Sequence, residues 1–364
     1  MTRTTVSLRA LRRWSWMSRA LVYALIGSTI PTSSSATHAD NEPEDLTTLS
    51  IEELLEVEIS RNAVSILHSH IHKQGEWMIG YRYMTMDMDG NRDGTTDVST
   101  TSVLTDFVIT PTAMRAQSHM INVMYAPSDD LTLMAMLPYK LLSMDHVTRT
   151  GLNFTTRAEG IGDLSVMGHY VLFRAPHDRQ LFSLLGGVGL PTGSIDERDQ
   201  TPAGPNQKLP YPMQLGSGTY DLKIGANFQH FKDHWFLGAH TMGTIRLGKN
   251  DNDYRLGNVL EIGGWLSYEW ANWLSTTIRL NGKSWGNISG ADPDLVPTVI
   301  PTADPDRRGG TRIDMLFDVE LFVPGGKWSG NRLGIEFGVP IYQNLDGPQL
   351  ETDWMMTVGW QWIF

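Results

Sequence analysis

Asp353-Trp354-Met355-Met356-Thr357-Val358-Gly359-Trp360-Gln361-Trp362-Ile363-Phe364 decides the fold class. Trp354, Met356, Val358, Trp360, Trp362 and Phe364 are all apolar, and they alternate with Asp353, Met355, Thr357, Gly359, Gln361 and Ile363. A period of two puts the first set on one face of an extended strand. The pattern recurs upstream. Tyr220, Leu222, Ile224, Ala226 and Phe228 alternate with Asp221, Lys223, Gly225 and Asn227. Ile313, Met315, Phe317, Val319 and Leu321 alternate with Arg312, Asp314, Asp318 and Glu320, and Leu333, Ile335, Phe337, Val339 and Ile341 with Arg332, Gly334, Glu336 and Gly338.

The polar phase has two homes, the outside of a soluble sandwich or the lumen of a transmembrane barrel, and alternation does not separate them. Connection lengths do. Strands are predicted near 76–89, 118–126, 131–145, 160–173, 181–191, 219–231, 235–248, 256–270, 273–285, 310–323, 331–342 and 353–364. Tight turns at 126–130, 175–178, 232–234, 271–272 and 324–330 alternate with connections that are mostly long, above all 90–117, 192–218 and 286–309. An even strand count with short turns at one end predicts an all-β fold over residues 75–364: a twelve-stranded antiparallel up-and-down transmembrane β-barrel.

The rest of the chain fits export to such a place. Arg3, Arg9, Arg12, Arg13 and Arg19 precede or flank the apolar run Ala20–Ile26, and small residues follow to Ala39, so residues 1–39 read as a secretory signal peptide. Its removal, with five arginines and no acid, takes the formal charge from −11 to about −16. That balance argues against nucleic acid as a partner, which needs a Lys/Arg surplus. The sequence has no cysteine, which excludes disulfides and thiolate metal sites. Apart from the signal, no apolar run approaches the ~18 residues of a spanning helix, so strands must do the embedding. In the intervening segment 40–74, Ser50 and Glu53 form a capping box, and Ile51, Leu54 and Leu55 an apolar stripe. A short amphipathic helix is predicted there, placed to act as a small plug.

The aromatic-rich end closing on Phe364 resembles the signal by which outer-membrane barrels are taken up by their assembly machinery. Residues 46–59 resemble the opening of the plug of TonB-dependent receptors, but the rest of a plug is missing and no energy-coupled transport is carried over. Gly75-Glu76-Trp77, Tyr125-Ala126-Pro127, Gly160-Ile161-Gly162-Asp163-Leu164 and Gly189-Leu190-Pro191-Thr192-Gly193 resemble the outer-membrane transporter family named after the meta-pathway of phenol degradation. That resemblance implies a barrel and transport in the outer membrane of a Gram-negative cell, with outer-membrane lipid around it.

Two sets of residues fall in the inward phase. Asp221, Lys223, Glu261, Arg279, Arg312, Asp314, Asp318, Glu320 and Glu336 are expected to line a watery lumen, because each would cost roughly 2–4 kcal/mol facing lipid at the midplane, acids somewhat less. With acids in excess, that wall favours cations and zwitterions. Met78, Met84, Met86, Met88, Met120, Met124, Met134, Met136, Met144, Met167 and His169 share one inner wall. They read either as polarizable gap-fillers or as soft donors for Cu(I) or Ag(I). His68, His70 and His72 stand just before the first strand and read as a solvated linker. Asp89, Asn91, Asp93 and Asp97 have the spacing of a calcium loop, with Gly94 at its sixth position, but Thr100 replaces the final acid and an ordinary turn competes.

The expected function is therefore passive passage of a small molecule or cation. A non-transporting receptor barrel that presents its long loops is the alternative. A phospholipase-like enzyme needs a base within reach of Ser284, in Asn281-Gly282-Lys283-Ser284-Trp285-Gly286-Asn287, and no histidine is suitably spaced for it.

Overall fold

The structure is a computed structural model and describes residues 70–364. The signal peptide, the 46–59 helix and His68 lie outside the described residues. Period-two patterning resolves into strands β1 (Trp77–Gly94), β2 (Thr96–Val98), β3 (Ile109–Ser128), β4 (Leu131–Thr148), β5 (Asn153–Ile161), β6 (Leu164–Arg174), β7 (Gln180–Leu190), β8 (Arg198–Thr201) and β9 (Gly204–Lys208). They continue as β10 (Tyr220–Lys232), β11 (Trp235–Leu247), β12 (Tyr254–Arg255), β13 (Val259–Ala271), β14 (Leu274–Trp285), β15 (Ser289–Gly290), β16 (Gly310–Phe322) and β17 (Asn331–Ile363). One α-helix among the described residues, α1 (Thr100–Asp106), lies in the first long connection, capped by Ser99 and unforeseen in the sequence.

Eleven strands, β1, β3, β4, β6, β7, β10, β11, β13, β14, β16 and β17, form an antiparallel sheet that the β17–β1 pairing closes into a barrel. β2 and β5 pair with β1 and β4 outside the ring. The count is eleven rather than twelve because the last two expected strands run on as one of 33 residues. Its first part pairs with β16 and its second with β1, and Leu345 opposes both Gly310 and Gly94.

Two further boundaries differ. β1 runs five residues past its expected end at 89, and β3 starts at Ile109 rather than 118, so much of the 90–117 connection is sheet. The expected fourth strand begins at Leu164 as β6, and β5, which was not expected, fills most of the connection before it; Gly162-Asp163 separates the two, and they pair with successive parts of β4.

The outer surface is a belt of exposed apolar side chains, among them Ile121, Leu133, Ile224, Leu266, Phe317 and Ile335. A soluble monomer does not carry a continuous band of this kind. Trp235, Trp270, Trp273, Trp360, Trp362 and Phe364 crowd its short-turn end, as aromatic girdles do at a membrane interface.

Candidate functional site: the barrel lumen

In-register pairing turns the inward methionines into rungs. Met78 opposes Met124, Met124 opposes Met134, and Met134 opposes Met167, so four adjacent strands carry thioethers at one height near the short-turn end. Leu185 and Met242 complete this buried cluster. A second rung, Met88–Met114–Met144, sits near the long-loop end and packs on Leu142 and Ala158. Met114 escaped the sequence reading because β3 was expected to begin after it. Between the rungs lie Met84, Met86, Met120 and Met136, all partly buried.

Most of the charged inward positions lie from β10 to β17, between apolar ones such as Met242, Trp265 and Leu316. Arg246 bonds Asp221, Arg279 Nη2 lies 2.8 Å from Glu336, Arg312 Nε 2.8 Å from Asp314 and Lys283 Nζ 3.3 Å from Glu261. Lys223 lies in the fields of Asp221 and Glu261. Arg82 of β1 lies in the fields of Glu336 and Asp318, and Arg332 in that of Glu320, while the Arg332 guanidinium covers the Phe322 ring at 5.0 Å. Asp318 and Glu320 are fully buried. Charges withdrawn from water persist only when so paired. Met86 joins the two walls, its sulfur accepting from Arg312 Nη1 at 3.8 Å and Thr352 Oγ1 at 3.7 Å. The acid excess expected of this wall is absent, because Arg82, Arg246, Lys283 and Arg332 share it.

The histidine run corrects its expectation. His70 and His72 are buried inside the barrel rather than solvated, at 1% and 2% exposure. The His72 N–H donates to Thr132 Oγ1 at 3.1 Å, and the Gln74 N–H to Asp129 Oδ1 at 2.8 Å, so residues 70–74 lie across the short-turn mouth. His169 Nδ1 is 3.1 Å from the His70 carbonyl and Nε2 2.5 Å from Ser183 Oγ. A carbonyl only accepts, so Nδ1 carries the proton and Nε2 accepts from the serine. A cavity of about 10 Å³ remains there, lined by His70, Met124, Thr132, Met134, Met167, Gly168, His169 and Leu185.

At the other end the connection between β7 and β10 folds inward. Leu209, Met213 and Leu215 pack on the upper methionine rung, and Lys140 Nζ donates to the Leu215 carbonyl at 2.6 Å. The two glycine motifs hold this fold. Asp163 accepts from the N–H groups of Gly193 and Ser217 and from the Ser217 hydroxyl, at 3.0, 2.8 and 2.8 Å. Thr192 Oγ1 donates to the Gly162 carbonyl, and a Cβ on Gly216 would stand 2.2 Å from the Gly193 oxygen. Lys208, its side chain buried, bonds Asp196 within this connection at 2.5 Å and ties the connection to Asp292 of the 286–309 connection at 3.2 Å.

Other expected sites come apart. Asn91 donates to the Pro111 carbonyl, Asp93 accepts from the Gly347 N–H, and Asp97 bonds Arg92, so the calcium-like set is spread along a hairpin with its groups spent separately. Among the described residues, no three His, Asp or Glu side chains converge as a metal site. Ser284 Oγ pairs with Thr311 Oγ1 at 3.1 Å rather than with an imidazole. Phe364 is exposed on the outer face, stacked on Trp362 at 4.5 Å.

A family model described as "Putative MetA-pathway of phenol degradation" matches residues 91–292, more than half of the chain. No curated protein sequence matches. Among solved structures, an outer membrane channel from Pseudomonas putida F1 aligns with a TM-score of 0.59 at 14% identity, covering 80% of this chain and 97% of that one. The translocator domain of the autotransporter NalP from Neisseria meningitidis gives 0.43 at 10% identity, covering 82% and 92%. The P. putida toluene transporter TodX gives 0.39 at 9%, covering 83% and 92%. The first shares the barrel fold, and the other two are too distant to bear on this chain.

Proposed function

The chain belongs to the family whose model spans residues 91–292, and from that premise we propose that it is an outer-membrane pore for passive passage of small polar solutes, here in a closed state. One observation carries this reading: a wall of paired charges inside a barrel whose outside is apolar. Such a wall suits water, and a barrel built only to persist in lipid has no use for it, since apolar packing of similar volume is often as stable. With bases and acids balanced, the pore discriminates weakly by charge.

In this reading the final 33-residue run crosses the membrane twice. Gln343 Nε2 donates to the Thr352 carbonyl and its Oε1 accepts from the Thr352 N–H, a pairing that supports a reversal between them. Twelve crossings return the chain to its starting side, so the short turns face the periplasm and the long connections the outside. Opening then requires residues 70–74 or the inward-folded 192–218 connection to move.

The interlocked connections also favour a second reading, a barrel that presents loops and does not conduct. Single-channel recording and liposome swelling with the exported chain separate the two. Discrete conductance that rises when Lys208→Ala releases the outer connections supports the pore, and silence in both proteins supports the receptor.

A further inference from the structure

We infer that the lower methionine rung is a binding site for one soft monovalent cation, Cu(I) or Ag(I), held by the thioethers of Met124, Met134 and Met167 with the His70 imidazole as the fourth donor. Neighbouring strands stand about 4.8 Å apart, and in-register inward residues on them share that spacing. Two metal–sulfur bonds, at about 2.3 Å each for zinc thiolates, span nearly the same distance. A cation seated between two neighbouring methionines of this rung therefore needs rotamer adjustment and no strand movement, and the third, long and flexible side chain leans in from the next strand.

The cavity supports this placement. Its roughly 10 Å³ suits a single atom-sized guest, and three methionines and two histidines are in its wall with no carboxylate. Neutral soft donors select a polarizable monovalent ion; a hard or divalent cation would keep its charge uncompensated and lose its water. His169 stands in the same wall, but its Nδ1–H is spent on the His70 carbonyl and its Nε2 on Ser183. Its part is to position the His70 segment against the sulfurs, which moves the imidazole ligand from the strand to the chain that enters the barrel. The upper rung has no comparable space, since Leu209, Met213 and Leu215 fill it.

Binding is read on the purified barrel, so the site stands or falls separately from conduction. The exported chain, folded in detergent in chloride-free buffer, is titrated with Ag(I), desalted and assayed for retained silver. One silver ion per barrel is expected, displaced by Cu(I) and not by Ca²⁺ or Zn²⁺. The M124L/M134L/M167L variant should lose it, and M88L/M114L/M144L should keep it. A parent that retains no silver, or a lower-rung variant that retains as much as the parent, overturns the site. Should the lower-rung variant fail to fold, X-ray absorption on the Cu(I)-loaded parent decides. Sulfur neighbours support the site, and a shell of only nitrogen and oxygen overturns it.

Discussion

On β1, β3, β4 and β6 the lumen is lined by methionines that meet each other in register, whereas on β10 to β17 it is lined by arginines, lysines and carboxylates that meet as pairs. Both halves fill space, yet they differ in how a lost partner is felt. A thioether deprived of its neighbour loses dispersion contacts that another apolar group can restore. A buried carboxylate deprived of its guanidinium keeps its whole desolvation cost, so the ionic half tolerates loss of a pair better than loss of one member.

The largest effect should follow from breaking one such pair. Glu336→Leu leaves Arg279 and Arg82 with a buried excess of positive charge and should destabilise the folded barrel by about 3–5 kcal/mol. Arg279→Leu added to it should recover much of that loss. Urea unfolding in detergent checks both, and equal midpoints for the single and double variants would show that the pair is not coupled.

Next comes Asp163, which binds three groups of the inward-folded connection with one side chain. Hydrogen bonds to a charged group contribute about 1.5–3 kcal/mol each, so Asp163→Ala should release the connection, while Asp163→Asn keeps part of the clamp. Protease cleavage within residues 198–208 of the folded barrel should rise sharply for the alanine variant and modestly for the asparagine one. Equal resistance in all three proteins would mean that the glycine contacts alone hold the fold.

The methionine half should give a smaller response. Met88, Met114 and Met144 changed singly to leucine conserve volume, so each swap should cost less than about 1.5 kcal/mol. A larger loss would mean that the upper rung depends on sulfur itself, which would bring the two halves closer in kind.

Alternation exposed both halves in the sequence because an inward position keeps its phase at any height in the wall. Strand ends were hidden for the opposite reason. Above the apolar belt the outer face of β1 and β3 carries Asp87, Asp89, Arg115 and Gln117, so the contrast between faces disappears while the backbone ladder continues. Pairing partners were hidden as well. Arg82 sits among methionines in sequence, and only the closed ring brings it to Glu336 and Asp318. The inward fold did leave a trace. Leu209, Tyr211, Met213 and Leu215 repeat with period two inside a polar connection, and all four are buried.

The smallest effect concerns a charge pair outside the membrane, where water screens what the lumen does not. The Lys208 ammonium, together with the Asn252 amide, holds the Asp196 carboxyl below its ordinary range, against a slight desolvation that raises it. A carboxyl depressed by folding stabilises the folded state above its unfolded value near 3.9 and loses that contribution as pH falls through the folded value. The latch should therefore be unchanged from neutral pH down to about pH 4 and loosen only below it. Asp196 is 65% exposed, and such pairs contribute about 0–1 kcal/mol, so the change should be slight. Protection of the 192–218 connection against pepsin, which works in acid, measures it. The parent should lose protection below pH 4 and Asp196→Asn should lack that acid step, already resembling the parent's acid form at higher pH. A step that survives in the asparagine variant would show that the outer latch does not depend on the Asp196 carboxyl, and would separate this exposed pair from the buried pairs of the lumen, where loss of one member is felt.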